Sequence, residues 1–257
     1  MSQSAMIIRF INLDRTPNRC REFLAANKHL PHVSRFAAID GNDLDPDALV
    51  RDGSISLGIQ QIYSRGNLGL ALSHIALWRE AIESGNTITI CEDDAIFNRD
   101  FLHAADKVIS RLPTDWDLVL WGWNFDAVLM MDLLPGVSPC LVACDQEQMR
   151  IGVVRFQKQS LSPHPVRLLQ AFGTVCYSIS PKGAHAFQNL CFPIPELEVF
   201  FPALRRTLPN FDISVMMSNA YPRTNSFVSF PPIVITKNEH DKSTTLPPSQ
   251  SRPGDQL

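Results

Sequence analysis

The stretch TITICEDDAIF, residues Thr87–Phe97, joins a strand pattern to a dense group of acids. Its first half is a short apolar run rich in β-branched residues, which predicts a buried strand. Its second half places three carboxylates, Glu92, Asp93 and Asp94, where that strand ends. Like charges packed this closely repel one another, so the sequence predicts that something neutralises them.

Strand-like and helix-like patterns alternate along the chain around this stretch. Apolar runs predict strands at Ala5–Leu13, His32–Gly41 and Asp115–Trp123. Apolar residues at helical spacing predict helices after Pro17, over Gly66–Gly85 and between Asn98 and Pro113. Residues 124–170 have no assignable pattern. Because a strand–helix–strand order favours parallel pairing, we predict an α/β fold with a mostly parallel central sheet flanked by helices.

Length and composition limit the domain count and the partners. The chain has 257 residues and a net charge of −3, without a dense block of lysine and arginine. We therefore expect one domain over residues 1–242 and no binding of nucleic acid through charge alone. Residues 243–257 are rich in proline and serine and contain little to bury, which predicts a disordered C-terminal tail.

The N-terminal segment, the cysteines and the apolar runs bear on localisation. The N-terminal segment lacks the basic start and the small-residue cleavage site of a signal peptide. Six scattered cysteines fit a reducing cytoplasm. No apolar run approaches the length that spans a bilayer. We expect a cytoplasmic protein with at most peripheral association with the inner face of the membrane.

The three acids suggest a cation site. Along an extended chain, side chains alternate, which places Glu92 and Asp94 on one side, about 7 Å apart, and Asp93 on the other. Two carboxylates with this spacing can share Mn²⁺ or Mg²⁺, which bind few carboxylates together with substrate phosphates. The alternative is that these acids favour the start of the helix that opens near Asn98. Spacing alone leaves both interpretations open.

Polar residues after the first strand are candidates for nucleotide contacts. If the sheet is parallel, Asn12 and Asp14 lie at the same edge as the acids and could bond a base or ribose. Arg15 or Arg19 could donate to a phosphate. A plain strand-to-helix turn is the alternative. His74 lies on the apolar side of its helix, where a core histidine is the default and a donor to phosphate is the alternative.

Taken together and in order, these segments resemble glycosyltransferase family 25, the lipopolysaccharide and collagen-type galactosyltransferase group. The segments that carry the resemblance are INLDRTPNRCREF (11–23), FAAIDG (36–41), GNLGLALSHIALWREAIESG (66–85), ITICEDDAIF (88–97), GTVCYSISPKGAHAF (173–187), FDISVMM (211–217) and FPPIV (230–234). The resemblance implies a GT-A-like nucleotide-sugar-binding fold, a UDP-sugar donor, and Mn²⁺ or Mg²⁺ as the cofactor.

The resemblance also implies roles for individual residues. Glu92, Asp93 and Asp94 match the acidic metal and donor motif, with Asp94 as the expected cation ligand and Glu92 as a second ligand or ribose contact. The residues that match segments near the nucleotide are Asn12, Asp14, Arg15, Ser73 and His74.

The resemblance further implies transfer with inversion at the anomeric carbon. Such a transfer needs a base on the far side of the sugar, and the sequence offers three candidates. Asp212, in a C-terminal segment of the resemblance, is the first. Glu196 and Glu198 are possible substitutes. A capping aspartate and two loop carboxylates are the alternative interpretations.

The expected function is transfer of a sugar, galactose in the first instance, from a UDP-sugar to a glycan hydroxyl in lipopolysaccharide or lipo-oligosaccharide synthesis. The acceptor could be lipid-linked. The sequence leaves open a peptide or protein acceptor, a non-catalytic nucleotide-sugar-binding module, and a phosphohydrolase that uses the same acidic edge.

Overall fold

A computed structural model describes residues 6–237 as a mixed α/β fold. The strands are β1 (Ile7–Asn12), β2 (Val33–Ala37), β3 (Ile88–Glu92), β4 (Ala95–Phe97), β5 (Leu118–Gly122), β6 (Leu129–Leu134), β7 (Ser138–Val142), β8 (His164–Gln170), β9 (Cys176–Ile179), β10 (Glu198–Phe201), β11 (Arg206–Pro209), β12 (Ser226–Phe230) and β13 (Val234–Thr236). The helices are α1 (Pro17–Ala26), α2 (Pro46–Arg51), α3 (Leu57–Ile62), α4 (Arg65–Ser84), α5 (Phe101–Ile109), α6 (Gln146–Lys158), α7 (Pro181–Cys191) and α8 (Ile213–Ala220).

The central sheet has nine strands in the order β2-β1-β3-β9-β5-β12-β8-β6-β7. Three pairings are parallel, namely β1 with β2, β1 with β3, and β5 with β12. The other five are antiparallel. The prediction of a mostly parallel sheet is therefore wrong. β9 inserts between β3 and β5 and runs against both, and residues 124–170, which had no assignable pattern, supply the antiparallel strands β6, β7 and β8.

Helices cover both faces of the sheet, as predicted. Alternation along β3 sends Ile88 and Ile90 into a larger apolar cluster and Cys91 into a smaller one on the opposite face. The larger cluster includes buried side chains of α4, α7 and α8, whereas the smaller includes side chains of α1 and α5. The sheet is thus held between two apolar layers, with the acids of interest at its edge.

The long central helix agrees closely with its sequence pattern. The Ser64 hydroxyl accepts from the backbone N–H of Asn67 and caps the first turn of α4. Gly85 ends the helix in the left-handed conformation that glycine adopts without strain. Of the four apolar residues whose four-three-four spacing predicts this helix, Ala71, Ile75 and Trp78 are buried and Ile82 is half-buried.

The two ends of the chain bear on the remaining predictions. The predicted tail, residues 243–257, lies outside the described residues, and the extent of the single domain stays a prediction. No helix between residues 6 and 237 combines the length and apolar character needed to cross a bilayer.

Candidate active site

The carboxyl ends of three adjacent parallel strands meet at one edge of the sheet. β1 ends at Asn12, β2 at Ala37 and β3 at Glu92. A cavity of about 60 Å³ opens there. Its lining includes the predicted residues Asn12, Arg15, Arg19, Glu92 and Asp93. Residues predicted from two distant segments are thus brought together where open α/β sheets bind ligands.

Asp93 is held from two sides. Asn12 Nδ2 donates to its Oδ2 at 2.6 Å, and Arg19 Nε donates to its Oδ1 at 2.8 Å, with a second bond from Arg19 Nη2. Asp93 is only 9% exposed, so these bonds compensate a buried charge. Asp93 therefore has Arg19 as its counter-ion. Its bonds to Asn12 and Arg19 connect the end of β3 to β1 and α1.

Arg35, which was not predicted, fixes the orientation of Asn12. Its Nε donates to Asn12 Oδ1 at 2.9 Å and its Nη2 donates to the Asn12 carbonyl at 2.9 Å. The Asn12 amide must then direct its NH₂ group towards Asp93. Arg35 also forms an ion pair with Asp14, whose side chain is 83% exposed and is not part of the cavity lining.

Arg15 and Asp40 form an ion pair on the cavity rim. The Arg15 side chain is 46% exposed. Hydrogen bonds from Arg15 and from the Asn42 backbone N–H lower the pKa of Asp40. An exposed guanidinium can exchange a surface carboxylate for a phosphate at small cost, since exposed ion pairs contribute little stability. Asp40 was missed as a site residue, although an Asp-Gly pair after a strand is a usable turn signal.

Glu92 and Asp94 have no cationic side chain bonded to them among the described residues. Glu92 Oε1 accepts from Thr174 Oγ1 at 2.8 Å, and Asp94 Oδ2 accepts from Thr236 Oγ1 at 2.9 Å. Asp94 Oδ1 is buried, and no other residue between 6 and 237 forms a hydrogen bond with it. Neither threonine was predicted. Thr174 reaches Glu92 through the pairing of β9 with β3, and Thr236 reaches Asp94 through the pairing of β13 with β4.

Both acids are held where ionisation is unfavourable. Burial, and next the nearby Asp94, raise the pKa of Glu92 to about 7. Burial also raises the pKa of Asp94, and the Asp93 charge adds to this rise against the opposing effect of Arg19. A carboxylate pair of this kind is a recurrent property of functional sites.

The donor set fits a hard divalent cation only in part. Two partly buried carboxylates and an unpartnered carboxylate oxygen suit Mg²⁺ or Mn²⁺. Within residues 6–237, however, no group of three His, Cys, Asp or Glu side chains is placed to hold a metal. The described residues could thus supply two ligands, and water or a bound ligand would have to supply the others.

Ser73 supports the cavity wall from behind. It is fully buried, and its hydroxyl accepts from the backbone N–H of Ile39 at 2.9 Å and donates to the Gly69 carbonyl at 2.7 Å. Ile39 lines the cavity, so Ser73 acts on the site through the backbone. Gly69 allows α4 to approach this segment closely, because a Cβ there would lie 2.4 Å from the Ile39 carbonyl oxygen.

Replacing Gly69 with alanine should therefore disturb the cavity wall. We expect a destabilisation of about 1–3 kcal/mol from overpacking, measured by urea unfolding. Gly152→Ala in α6 is the matched control, since a Cβ there meets nothing within 4 Å. That control should stabilise the protein by about 0.5–1 kcal/mol. Equal effects of the two substitutions would contradict the close approach of α4.

His74 lies in the apolar core. It is fully buried, its Nδ1 is 2.8 Å from the Tyr177 hydroxyl, and Trp78 Nε1 donates to the same hydroxyl at 2.8 Å. Burial lowers the pKa of His74 to about 3, so the ring is neutral. His74 is not among the residues lining the cavity. This environment is that of a core histidine, and contact with a phosphate stays a prediction.

Asp212 caps α8. Its Oδ1 accepts from the Ser214 backbone at 2.7 Å, the Ser214 hydroxyl at 2.7 Å and the Val215 backbone at 3.0 Å. The preceding residue, Phe211, accepts through its carbonyl from Asn67 in the first turn of α4. That turn begins beside Gly66, which lines the cavity. The capping role is confirmed, and the role of Asp212 as a base stays a prediction.

Glu196 and Glu198 are exposed. Glu196 Oε2 accepts from the Ser56 hydroxyl at 3.2 Å, at the start of α3. Glu198 begins β10 and lies opposite Pro209. Neither residue lines the cavity, and a catalytic role for either stays a prediction.

Residues 6–200 match the sequence profile of glycosyltransferase family 25, described as lipopolysaccharide biosynthesis proteins. The chain belongs to this family. The match includes Asn12, Glu92 and Asp94 but stops before Asp212.

Individual relatives match a shorter part of this chain than the family profile does. The human inactive glycosyltransferase 25 family member 3 is 29% identical over 124 residues, which is 44% of this chain and 21% of the relative. A protein of Acanthamoeba polyphaga mimivirus, named as a putative glycosyltransferase, is 29% identical over 117 residues, which is 44% of this chain and 36% of the relative. The matched part is thus about a fifth to a third of these relatives' length.

Proposed function

We propose that this family 25 member is a metal-dependent, inverting glycosyltransferase with a GT-A-like nucleotide site. It would transfer galactose, or another hexose, from a UDP-sugar to a hydroxyl of a glycan acceptor, which can be lipid-linked. The acceptor would belong to lipopolysaccharide or lipo-oligosaccharide synthesis in the cytoplasm. Membership of a glycosyltransferase family described by lipopolysaccharide biosynthesis supports this reading.

One observation carries the proposal. Glu92 ends β3 and Asp94 lies in the turn after it. Among the described residues, no cationic side chain is bonded to either acid, and Asp94 Oδ1 has no hydrogen-bond partner. Asp93, directly between them, is held by Arg19. The middle acid has a counter-ion, but its two neighbours are partly buried without one. Ionising them in the free protein is therefore costly, and a bound cation would remove that cost.

Each residue then has a physical role. Asp94 and Glu92 would hold Mn²⁺ or Mg²⁺, which supplies charge to stabilise the departing diphosphate. Arg15, released from Asp40, would donate to a phosphate, and Asp40 could then accept from a ribose hydroxyl. Arg35, through Asn12, would keep Asp93 in place.

The acceptor hydroxyl must lose its proton as it attacks, and Asp212 is the first candidate to take it. Its Oδ1 is occupied by three donors, whereas no described residue donates to its Oδ2. An oxygen of this kind can accept a proton without unfolding the cap of α8. Glu196 and Glu198 are the substitutes.

A second candidate is a nucleotide-sugar-binding module without transfer. The observation that favours it is that the human relative is named an inactive glycosyltransferase 25 family member. Such a module would keep the acids and the cavity but would not release UDP.

Turnover separates the two functions. The protein would be incubated with UDP-galactose, UDP-glucose or UDP-N-acetylglucosamine, with and without Mn²⁺, and UDP release would be measured beside UDP binding by calorimetry. Manganese-dependent release supports the transferase, and tight binding without release from any donor supports the module. The Glu83→Gln variant, an exposed acid on α4, controls for loss of charge and should behave as the unmodified chain.

A further inference from the structure

Another cavity, of about 420 Å³, lies at the opposite end of α1 from the candidate active site. Its lining comes from the last turn of α1, the turn that follows, the segment before α5, and α6. The lining residues are Ala25, Ala26, Lys28, His29, Arg99 and Gln157. None of them lines the cavity of the candidate active site. Arg19, which does, lies about 10 Å from Ala26 along the axis of α1.

The lining of this cavity is basic, although the net charge of the chain is −3. Lys28, His29 and Arg99 line it, and no carboxylate does. Within residues 6–237, no acid forms an ion pair with any of these three side chains. Burial lowers the pKa of His29, and the charge of Arg99 adds to this effect against the hydrogen bond to Asn98. His29 and Arg99 are therefore close enough to repel each other when both are charged.

Capping of α1 does not account for the two exposed cations of the lining. Basic side chains are favoured at the C-terminal end of a helix because its last carbonyl groups lack partners. Here Asn27 donates to the Phe23 carbonyl through its backbone N–H and through its Nδ2, each at 3.0 Å. Gln157 Nε2 donates to the Ala26 carbonyl at 2.9 Å. Neutral amides thus cap these carbonyl groups, and no residue between 6 and 237 accepts a hydrogen bond from either cation.

We infer that this cavity binds a phosphate group, with Lys28 and Arg99 as its charged donors. Ammonium and guanidinium groups form charge-assisted hydrogen bonds with phosphate oxygens, and the anion would offset the repulsion between the basic groups. His29 Nε2 lies 3.2 Å from the Asn98 carbonyl oxygen, which can only accept. In the neutral ring, Nδ1 is therefore free to accept from a hydroxyl group of the ligand.

The size of the cavity indicates more than a bound ion. A volume of about 420 Å³ is typical of a small-molecule site, which leaves room for the group that carries the phosphate. A soluble phosphate ester and a phospholipid headgroup offer the same chemistry to Lys28 and Arg99. The inference does not depend on the proposed catalytic function, because the two cavities share no lining residue.

The test is an NMR titration of the histidine ring signals of the full chain with glucose 1-phosphate. His29→Gln identifies the signal of His29, which reports on this cavity even if phosphate also binds near Arg15. We expect that signal to shift and to saturate. The double substitution Lys28→Ala with Arg99→Ala should weaken binding roughly tenfold or more, because it removes two charge-assisted hydrogen bonds. Ala25→Glu should also weaken binding, since it places a negative charge in the cavity wall without removing a cation.

Vesicles distinguish the two sources of the phosphate group. Phosphatidylcholine vesicles with and without phosphatidic acid would be sedimented with the full chain and with the double variant. Saturation of the His29 signal by glucose 1-phosphate assigns the cavity to a soluble ester. Sedimentation that requires phosphatidic acid and is lost in the double variant, without a response to glucose 1-phosphate, assigns it to a headgroup. Either result supports a phosphate site.

Lys107→Ala with Arg223→Ala is the matched control. Both side chains are exposed, neither lines this cavity, and their loss changes the net charge as the test variant does. The control should bind as the unmodified chain does, and melting temperatures would verify that all variants fold. The inference is overturned if the chain responds to neither probe, if the Lys28 and Arg99 variant binds as tightly as the unmodified chain, or if the control loses as much affinity.

Discussion

Replacing Asp94 with asparagine should abolish manganese-dependent turnover of UDP-sugars and, at the same time, stabilise the free protein. We expect a loss in kcat/KM of roughly 10³-fold, because the variant loses the charge that would hold the cation against the diphosphate. In the free protein the same charge is partly buried near Asp93 and Glu92, and these unfavourable effects outweigh the attraction of Arg19. Its removal should raise the free energy of unfolding by about 1 kcal/mol.

Asp93→Asn is the control, because its expected effect on stability is opposite to that of Asp94→Asn. Asp93→Asn removes an ionised acceptor from Arg19 and turns an amide towards the NH₂ group of Asn12. Buried donors left without a partner cost about 3 kcal/mol, so this variant should be less stable than the unmodified chain. Urea unfolding of both variants without metal, beside UDP release and calorimetric binding of Mn²⁺ with UDP, measures both effects.

Two results would contradict this account of the three acids. If Asp94→Asn retains turnover, Asp94 is not the ligand that the reaction needs. If both asparagine variants lose stability to the same extent, the acids do not repel one another in the free protein, and the reason for proposing a cation disappears.

The features that the sequence predicted best are those that depend on residues close together along the chain. The strand before Glu92, and the helix that ends at Gly85, follow from local patterns of apolar residues and a glycine stop. The position of Asn12 at the same edge as the acids was predicted only on the condition that their strands run parallel, and the structure meets that condition because β1 and β3 are adjacent parallel strands.

The features that the sequence did not predict depend on distant pairing. Thr174 reaches Glu92 because β9 inserts beside β3, and Thr236 reaches Asp94 because β13 pairs with β4. Periodicity identifies a strand but does not identify its partner, which is also why the sheet was expected to be mostly parallel. Arg35 was not predicted for a similar reason, since the register of β1 and β2 pairs it with Phe10 and so brings its side chain within reach of Asn12.

Exposure was the other quantity that local patterns could not supply. Apolar residues between 124 and 170 had no clear period, and the structure divides them between the core and the surface. Met131 is buried, whereas Leu134, three residues later, is 56% exposed. The sequence around His74 left open a core role and a phosphate contact. Its burial beside Tyr177, which the structure shows, is the environment of a core histidine.

The pH dependence of stability should reveal Glu92 directly. Its pKa is about 7 in the folded chain against 4.5 for an ordinary glutamate, so the folded state keeps a proton that the unfolded state has lost. The contribution of Glu92 to stability is therefore favourable at low pH and falls as pH rises between 4.5 and 7. The expected fall is about 2 kcal/mol, allowing for partial exposure of the side chain.

Two histidines act in the opposite direction and must be separated from Glu92. Burial lowers the pKa of His74 to about 3 and also lowers that of His29. The unfolded state therefore binds protons that the folded state does not, and stability from these groups rises until about pH 6.5. The total curve mixes both trends, so the measurement must be a difference between two variants.

The difference between Glu92→Gln and the unmodified chain isolates the acid, because the histidines are common to both. Glutamine can still accept from Thr174, so that hydrogen bond is retained. We expect the free energy of unfolding of Glu92→Gln, relative to the unmodified chain, to increase from pH 5 to pH 7 and then level off. Urea unfolding at half-unit steps of pH would measure it, and a flat difference would mean that Glu92 ionises normally.

The raised pKa of Glu92 also predicts that the binding of Mn²⁺ with UDP depends on pH. A cation bound to Glu92 and Asp94 must displace the proton from Glu92, so binding should strengthen as pH rises from 5.5 to 8. The melting temperature of the unmodified chain should then increase more on addition of Mn²⁺ and UDP at pH 8 than at pH 5.5. Glu92→Gln should lose most of this pH dependence, whereas an unchanged dependence would assign the displaced proton to another group.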